Sequence, residues 1–182
     1  MSELDLVLIR HAKTEQEGPP SQGDHGRRLT ERGVSDAQAA GRWLLETRRR
    51  PGLVLCSTAV RAEQTWQAMA QGSQPDDGSG LSGVEVWREP RVYNATAHQL
   101  LHVLTRTPQD LGCVAIVGHA PGIPDLAADL TDWQQAEQEA ATALCSGYPT
   151  MTCTVLRSTG SADRVAPGSM ALVAVHTARG EQ

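Results

Sequence analysis

The chain alternates short, nearly continuous apolar runs with longer stretches that are apolar on one side only. The runs are "LDLVLIR" (4–10), "LVLCS" (53–57), "VEVW" (84–87) and "CVAIVGH" (113–119). Each is strand-sized, and the near-continuous apolarity of 4–10 and 53–57 is expected of strands buried on both faces. "LTERGVSDAQAAGRWLLETRRR" (29–50) reads as a helix. Thr30 or Ser35 can cap it, Ala37, Ala40, Leu44 and Leu45 form its stripe, and its arginines suit the C-terminal end of the helix dipole. "AVRAEQTWQAMA" (59–70) predicts a second helix, and "AHQLLHVLTR" (97–106), capped by Thr96, a third. Pro51-Gly52 and the Gly/Pro/Ser-rich stretches "EGPPSQGDHGRR" (17–28) and "QGSQPDDGSGLSG" (71–83) read as breaks and loops.

The later chain follows a weaker pattern. "IPDLAADLTDW" (123–133) and "QQAEQEAATAL" (134–144) predict two short helices. "MTCTVLRS" (151–158) and "SMALVAVHT" (169–177) predict strands that can pair as a hairpin at a sheet edge. The stretch from 131 to 150 could form an extra helical flap. Strands alternating with helices imply a parallel sheet covered on both faces. No repeat or internal boundary interrupts the pattern, so residues 1–182 are expected to form a single domain.

Composition narrows the partners. The 182 residues carry a formal net charge of -5, which argues against broad nucleic-acid or anionic-membrane binding. Phe is absent, so the core must be aliphatic. No apolar run is long enough to cross a membrane, and Glu3 and Asp5 interrupt any secretory leader. Cys56, Cys113, Cys145 and Cys153 form no CxxC pair and read as thiols of a reduced, cytoplasmic protein.

Chemistry gathers where strands end. Ligands bind outside the carboxyl ends of strands in open α/β sheets. The first strand ends in Arg10-His11, the second in Ser57 with Arg61 soon after, and the fourth in Gly118-His119. Two arginines and two histidines therefore collect at one edge. An arginine fork binds phosphate oxygens and stays charged. Helix N-termini near 58–61 and 120–123 would add N–H donors. A neutral histidine can attack phosphorus. A second one, protonated, could stabilise the transferring group. The pattern points to phosphoryl transfer.

Competing assignments are weaker. A cysteine phosphatase needs an arginine six residues beyond its thiol, but Ala62 stands there after Cys56. No GxxxxGK[ST] loop is present. His98 and His102 lie one helical turn apart without a convincing third ligand, so they read as helix surface. His25 lies in a loop near the site and could shape its entrance. His176 has no motif around it.

"LIRHAKTE", "RRLTERG", "CSTAVRAEQT" and "IVGHAPGI" resemble, in order, the motifs of the histidine phosphatase superfamily, the phosphoglycerate-mutase-like enzymes. The "RHAK", "LTERG" and "RAEQT" forms are most similar to its SixA-type phosphohistidine phosphatases. The resemblance covers about residues 4 to 126. It implies a three-layer α/β/α sandwich around a mostly parallel sheet, with no metal or other cofactor. It makes His11 the nucleophile, Arg10 and Arg61 phosphate clamps, and His119 the second pocket histidine. Arg27 corresponds to a further clamp, although Arg28 stands where relatives often carry Pro. Relatives often supply a general acid after the third strand, which here suggests Glu89 first and Glu85 second. The substrate is then a phosphorylated protein or a small phosphomonoester. A non-catalytic phospho-ligand module is the remaining alternative. The short link between the third strand and the "HQLLHVL" helix predicts an open, shallow pocket.

Overall fold

The computed structural model describes residues 3–73 and 80–181. Part of the loop expected at 71–83 lies outside the described residues. The strands are β1 (Leu4–Arg10), β2 (Leu53–Cys56), β3 (Glu85–Arg88), β4 (Cys113–Gly118), β5 (Thr152–Ser158) and β6 (Ala171–Thr177). The α-helices are α1 (Glu31–Glu46), α2 (Val60–Gly72), α3 (Ala97–Leu104), α4 (Gly122–Leu130) and α5 (Gln138–Cys145). One six-stranded sheet runs in the order β3-β2-β4-β1-β5-β6. β1 to β4 are mutually parallel where they pair, and β5 runs antiparallel to both β1 and β6. The expected β5–β6 hairpin therefore completes the sheet, with β6 at its edge.

Alternation along each strand feeds two cores. Leu6, Leu8, Leu55 and Ile116 face α3, α4 and α5, whereas Val7, Ile9, Val54 and Val117 face α1 and α2. This is the expected α/β/α sandwich, and it explains why these strands are apolar at consecutive positions. Thr30 caps α1 by accepting from the Gly33 amide. Ser35 instead donates to the Glu181 carbonyl. The helix ends at Glu46, and Arg48 adopts a left-handed φ of 57°, so the arginines lie beyond the helix rather than in its last turn. Thr96 and Gln99 close a reciprocal capping box on α3.

Residues 131–150 form part of the sandwich instead of a flap. Ala140 and Leu144 of α5 are buried in the core beside α3 and α4. Their helix starts at Gln138, later than the apolar pattern suggests. Asp132 takes the Gln134 amide and the Gln135 side chain, which holds the preceding segment in a turn.

Candidate active site

Parallel pairing aligns the strand ends. Arg10 lies opposite Gly118, and Cys56 opposite Val117. The next residues keep the sheet's bonding: the His11 amide donates to Gly118 and the Ser57 amide to Val117, both at 3.0 Å. His11, Ser57 and His119 thus emerge side by side from three adjacent strands. The His11 and His119 ring centroids are 5.2 Å apart.

The surrounding motif residues tie the flanking loops to this edge. Thr65 accepts the Ala12 amide at 3.0 Å, and Gln64 accepts the Leu29 amide at 2.9 Å, so α2 fixes the segments after β1 and before α1. Thr30 donates its amide to the Lys13 carbonyl. That carbonyl passes so close to α1 that a Cβ on Gly33 would lie 2.1 Å from its oxygen. Only glycine fits there.

His11 is 8% exposed, and its Nδ1 lies 2.8 Å from the Ala12 carbonyl oxygen. A carbonyl can only accept, so Nδ1 carries the proton and Nε2 keeps its lone pair. Burial, together with the charges of Arg61, Arg10 and Arg27, pushes the His11 pKa down to about 4. His119 is 5% exposed and is pushed down to about 3, by burial first and then by the Arg61 charge. With its pKa that low, His119 is neutral near pH 7, whereas the sequence pointed to a protonated second histidine. A cation placed there would be both desolvated and repelled. Its Nε2 lies 2.8 Å from the Ser57 hydroxyl, and its Nδ1 is buried without a partner.

The arginines have distinct anchors. Arg10 donates through Nη1 to the Tyr148 carbonyl at 2.5 Å, and its buried Nε is unpaired. Arg61 is 3% exposed, donates to the Asp24 carbonyl and carboxylate at 2.7 and 3.0 Å, and also has an unpaired buried Nε. Arg27 reaches the Glu15 carbonyl, the Asp24 carboxylate and the Thr14 hydroxyl.

Two anchors were not read from the sequence. Asp24, in the short 3₁₀ turn Gly23–Gly26, binds Arg27, Arg61 and the Tyr93 hydroxyl at once. Partial burial alone would raise its pKa, but the Arg27 and Tyr93 hydrogen bonds and the Arg61 charge hold it at about 2. A carboxylate within the loop "GDHGRR" was the available signal. Tyr148 supplies its carbonyl to Arg10, while its hydroxyl binds the Leu8 carbonyl and Thr154. Nothing in its local sequence marks this role. Tyr93 also stands edge-on to His119 at 5.5 Å and to His25 at 4.9 Å. His25 binds the Thr58 hydroxyl at 3.1 Å, which places it at the rim of the site.

The carboxylate candidates separate. The Glu89 amide donates to Cys56, so Glu89 lies at the functional end of the sheet. Its carboxylate pairs with Arg91 at 2.6 and 2.8 Å, and that hydrogen bonding holds its pKa below the ordinary carboxylate range. This is the ionised state of an acceptor, opposite to what a proton donor needs. Glu85 pairs with Leu53 at the other end of β3 and accepts from Trp87, too far along the strand to serve the site. The Cys56 thiol donates to the Ser57 carbonyl, and burial raises its pKa to about 12, which removes it as a nucleophile. His98 and His102 are on the surface, lining an open groove of about 470 Å³ with Arg91, Tyr93 and Asn94. Among the described residues, no His/Cys/Asp/Glu cluster could hold a metal ion. His176 stacks on Trp43, away from the site.

A buried imidazole with one free nitrogen, beside a second imidazole and three guanidinium groups, defines a phosphoryl-transfer class of site. Residues 6–86 match the histidine phosphatase superfamily (branch 1), and the chain belongs to that superfamily, in a SixA-like form. It is 32% identical over 171 residues to the uncharacterised protein Rv1276c of Mycobacterium tuberculosis, spanning 94% of this chain and 100% of that one. A solved structure from Nakamurella multipartitia, named as a candidate SixA phosphohistidine phosphatase, superposes with a TM-score of 0.80 at 29% identity. That match covers 98% of both chains. A Plasmodium falciparum phosphoglycerate mutase shares the fold alone, with a TM-score of 0.60 at 14% identity over 100% of this chain and 96% of that one.

Proposed function

We propose that this phosphatase removes phosphoryl groups from phosphohistidine on proteins, without a metal, through a phosphohistidine of its own. The observation that carries this reading is the His11 ring. Its Nδ1–H is fixed on the Ala12 carbonyl, and its free Nε2 belongs to a neutral imidazole among arginines. In the first step the Nε2 lone pair attacks phosphorus. A new N–P bond forms as the substrate's P–N bond breaks and its electron pair leaves on the substrate imidazole. Arg10, Arg61 and Arg27 offset charge on the phosphoryl oxygens, and His119 donates through its free nitrogen. Water then cleaves the His11 phosphoramidate, releasing inorganic phosphate and restoring the imidazole.

The state of Glu89 favours this substrate class. An alkoxide leaving group needs a proton, and Glu89 is held ionised by Arg91. An imidazole leaves phosphorus more readily and makes less demand on an acid. The second reading is a small phosphomonoester. It is favoured by the groove of about 470 Å³ beside Tyr93, which has room for the rest of a small molecule.

The test is phosphate release from a phosphohistidine-bearing protein and from an aryl phosphate, with EDTA present. Release from the protein substrate is expected to dominate and to vanish in His11→Ala. Preference for the small ester would select the second reading. A folded protein that binds phosphate but turns over neither substrate would be a binding module.

A further inference from the structure

We infer that Ser57 is a positioning residue that selects the tautomer of His119, so that Nδ1–H is the nitrogen presented to the substrate. Three buried groups, the Ser57 hydroxyl, the Ala59 amide and the His119 ring, must share their donors and acceptors. Ser57 has no exposed surface, and its hydroxyl oxygen already accepts the Ala59 amide at 3.3 Å. Its other hydrogen-bonding contact is with His119 Nε2, at 2.8 Å. A hydroxyl has one proton to give and two lone pairs to offer.

Two arrangements are possible. In one, the Ser57 O–H donates to Nε2. The hydroxyl proton, the Ala59 amide and Nε2 are then all satisfied, and the imidazole proton resides on Nδ1. In the other, Nε2–H donates to Ser57. The hydroxyl proton then has no acceptor in a buried site, and Nδ1 turns a lone pair toward the phosphoryl oxygens. Leaving a buried donor unmade is costly, and two facing acceptors repel. The first arrangement leaves one buried group unpaired, the Nδ1–H that faces the phosphoryl site, and a bound phosphate would satisfy it; the second leaves two, the Ser57 hydroxyl proton and the Nδ1 lone pair. The first also gives the unpartnered Nδ1 of His119 a purpose: it is a donor awaiting an acceptor. Ser57 reaches this position because it follows β2 directly, adjacent to the strand that delivers His119.

The catalytic consequence rests on the phosphatase reading above, whereas the tautomer itself does not. The test is nitrogen-15 NMR of histidine-labelled protein at neutral pH, with the His119 signals assigned by their loss in His119→Gln. The wild-type spectrum is expected to show a protonated Nδ1 and an unprotonated Nε2 at His119. Ser57→Ala, which removes one atom, is expected to yield mixed tautomers and about a tenfold loss in affinity for inorganic phosphate, the worth of one neutral hydrogen bond. Ser57→Thr, which keeps the hydroxyl, is expected to restore the Nδ1–H form. A wild-type His119 protonated at Nε2 overturns the inference even if Ser57→Ala does not fold. So does an unchanged tautomer in a folded Ser57→Ala. Nδ1–H in a protein that releases no phosphate from any substrate would uphold the tautomer while refuting the phosphatase reading.

Discussion

The reactivity proposed for His11 comes from what its two nitrogens face. One is fixed on a backbone carbonyl, which leaves the other as a lone pair at the mouth of the site. The same reasoning makes Asp24 more than a loop carboxylate. It holds Arg27, Arg61 and Tyr93 in one place. Asp24→Asn removes a charge that competes with phosphate, but it also weakens charge-assisted bonds worth about 1.5–3 kcal/mol each. The carboxylate is half exposed, so its competing field is screened, and loss of placement dominates. Steady-state kinetics of Asp24→Asn are expected to show kcat/KM reduced by about tenfold or more. A gain would mean that Asp24 blocks the clamps instead of setting them. At this scale the sequence disclosed which arginines and histidines gather at the strand ends. It did not disclose protonation, because His119 and Glu89 are set by burial and by partners.

The elements deliver these side chains through close contacts at a few small residues. α1 lies against α2 so tightly that a Cβ on Gly41 would sit 2.0 Å from the Met69 carbonyl oxygen. Gly41→Ala is expected to separate the two helices at a cost of about 1–3 kcal/mol. Thermal unfolding would register this as a Tm lowered by about 2–4 °C per kcal/mol. Thr30→Ala removes the cap on Gly33 and a long hydroxyl contact to the Lys13 carbonyl, and should cost about 1 kcal/mol by denaturant titration. If both variants matched the wild type, the account of helix placement would fail. Strand and helix positions were legible here because their apolar periodicity is local. The ends of α1 and α5 were not. Arg48 leaves the helical region and Asp132 diverts two neighbours, and neither competition shows in a hydrophobic pattern.

Across the whole molecule, site and stability are coupled through pH. Both pocket imidazoles have pKa values lowered from 6.5, His11 to about 4 and His119 to about 3. Below pH 6.5 the unfolded chain takes up protons that the folded one refuses. Unfolding is then favoured, so stability contributed by the two neutral rings is present above pH 6.5 and lost as pH falls toward 4 and 3. Urea midpoints are expected to decline from pH 7 to pH 5, and less steeply in His119→Gln. An equal decline in that variant would contradict the assignment.

The sequence by itself determined the strands, the alternation that makes the sandwich, and the two arginines and two histidines near the strand ends. These follow from short-range periodicity and from side-chain chemistry that no fold can alter. Only the tertiary structure decided that Asp24 and Tyr148 anchor the arginines, that Glu89 is tied to Arg91, and that α5 belongs to the core. It also decided which histidine nitrogen is free. Tyr148 lies 138 residues from Arg10, and Asp24 lies 37 from Arg61. Contacts of that span exist only after the sheet has closed, and with them come the burial and charge that set each group's state.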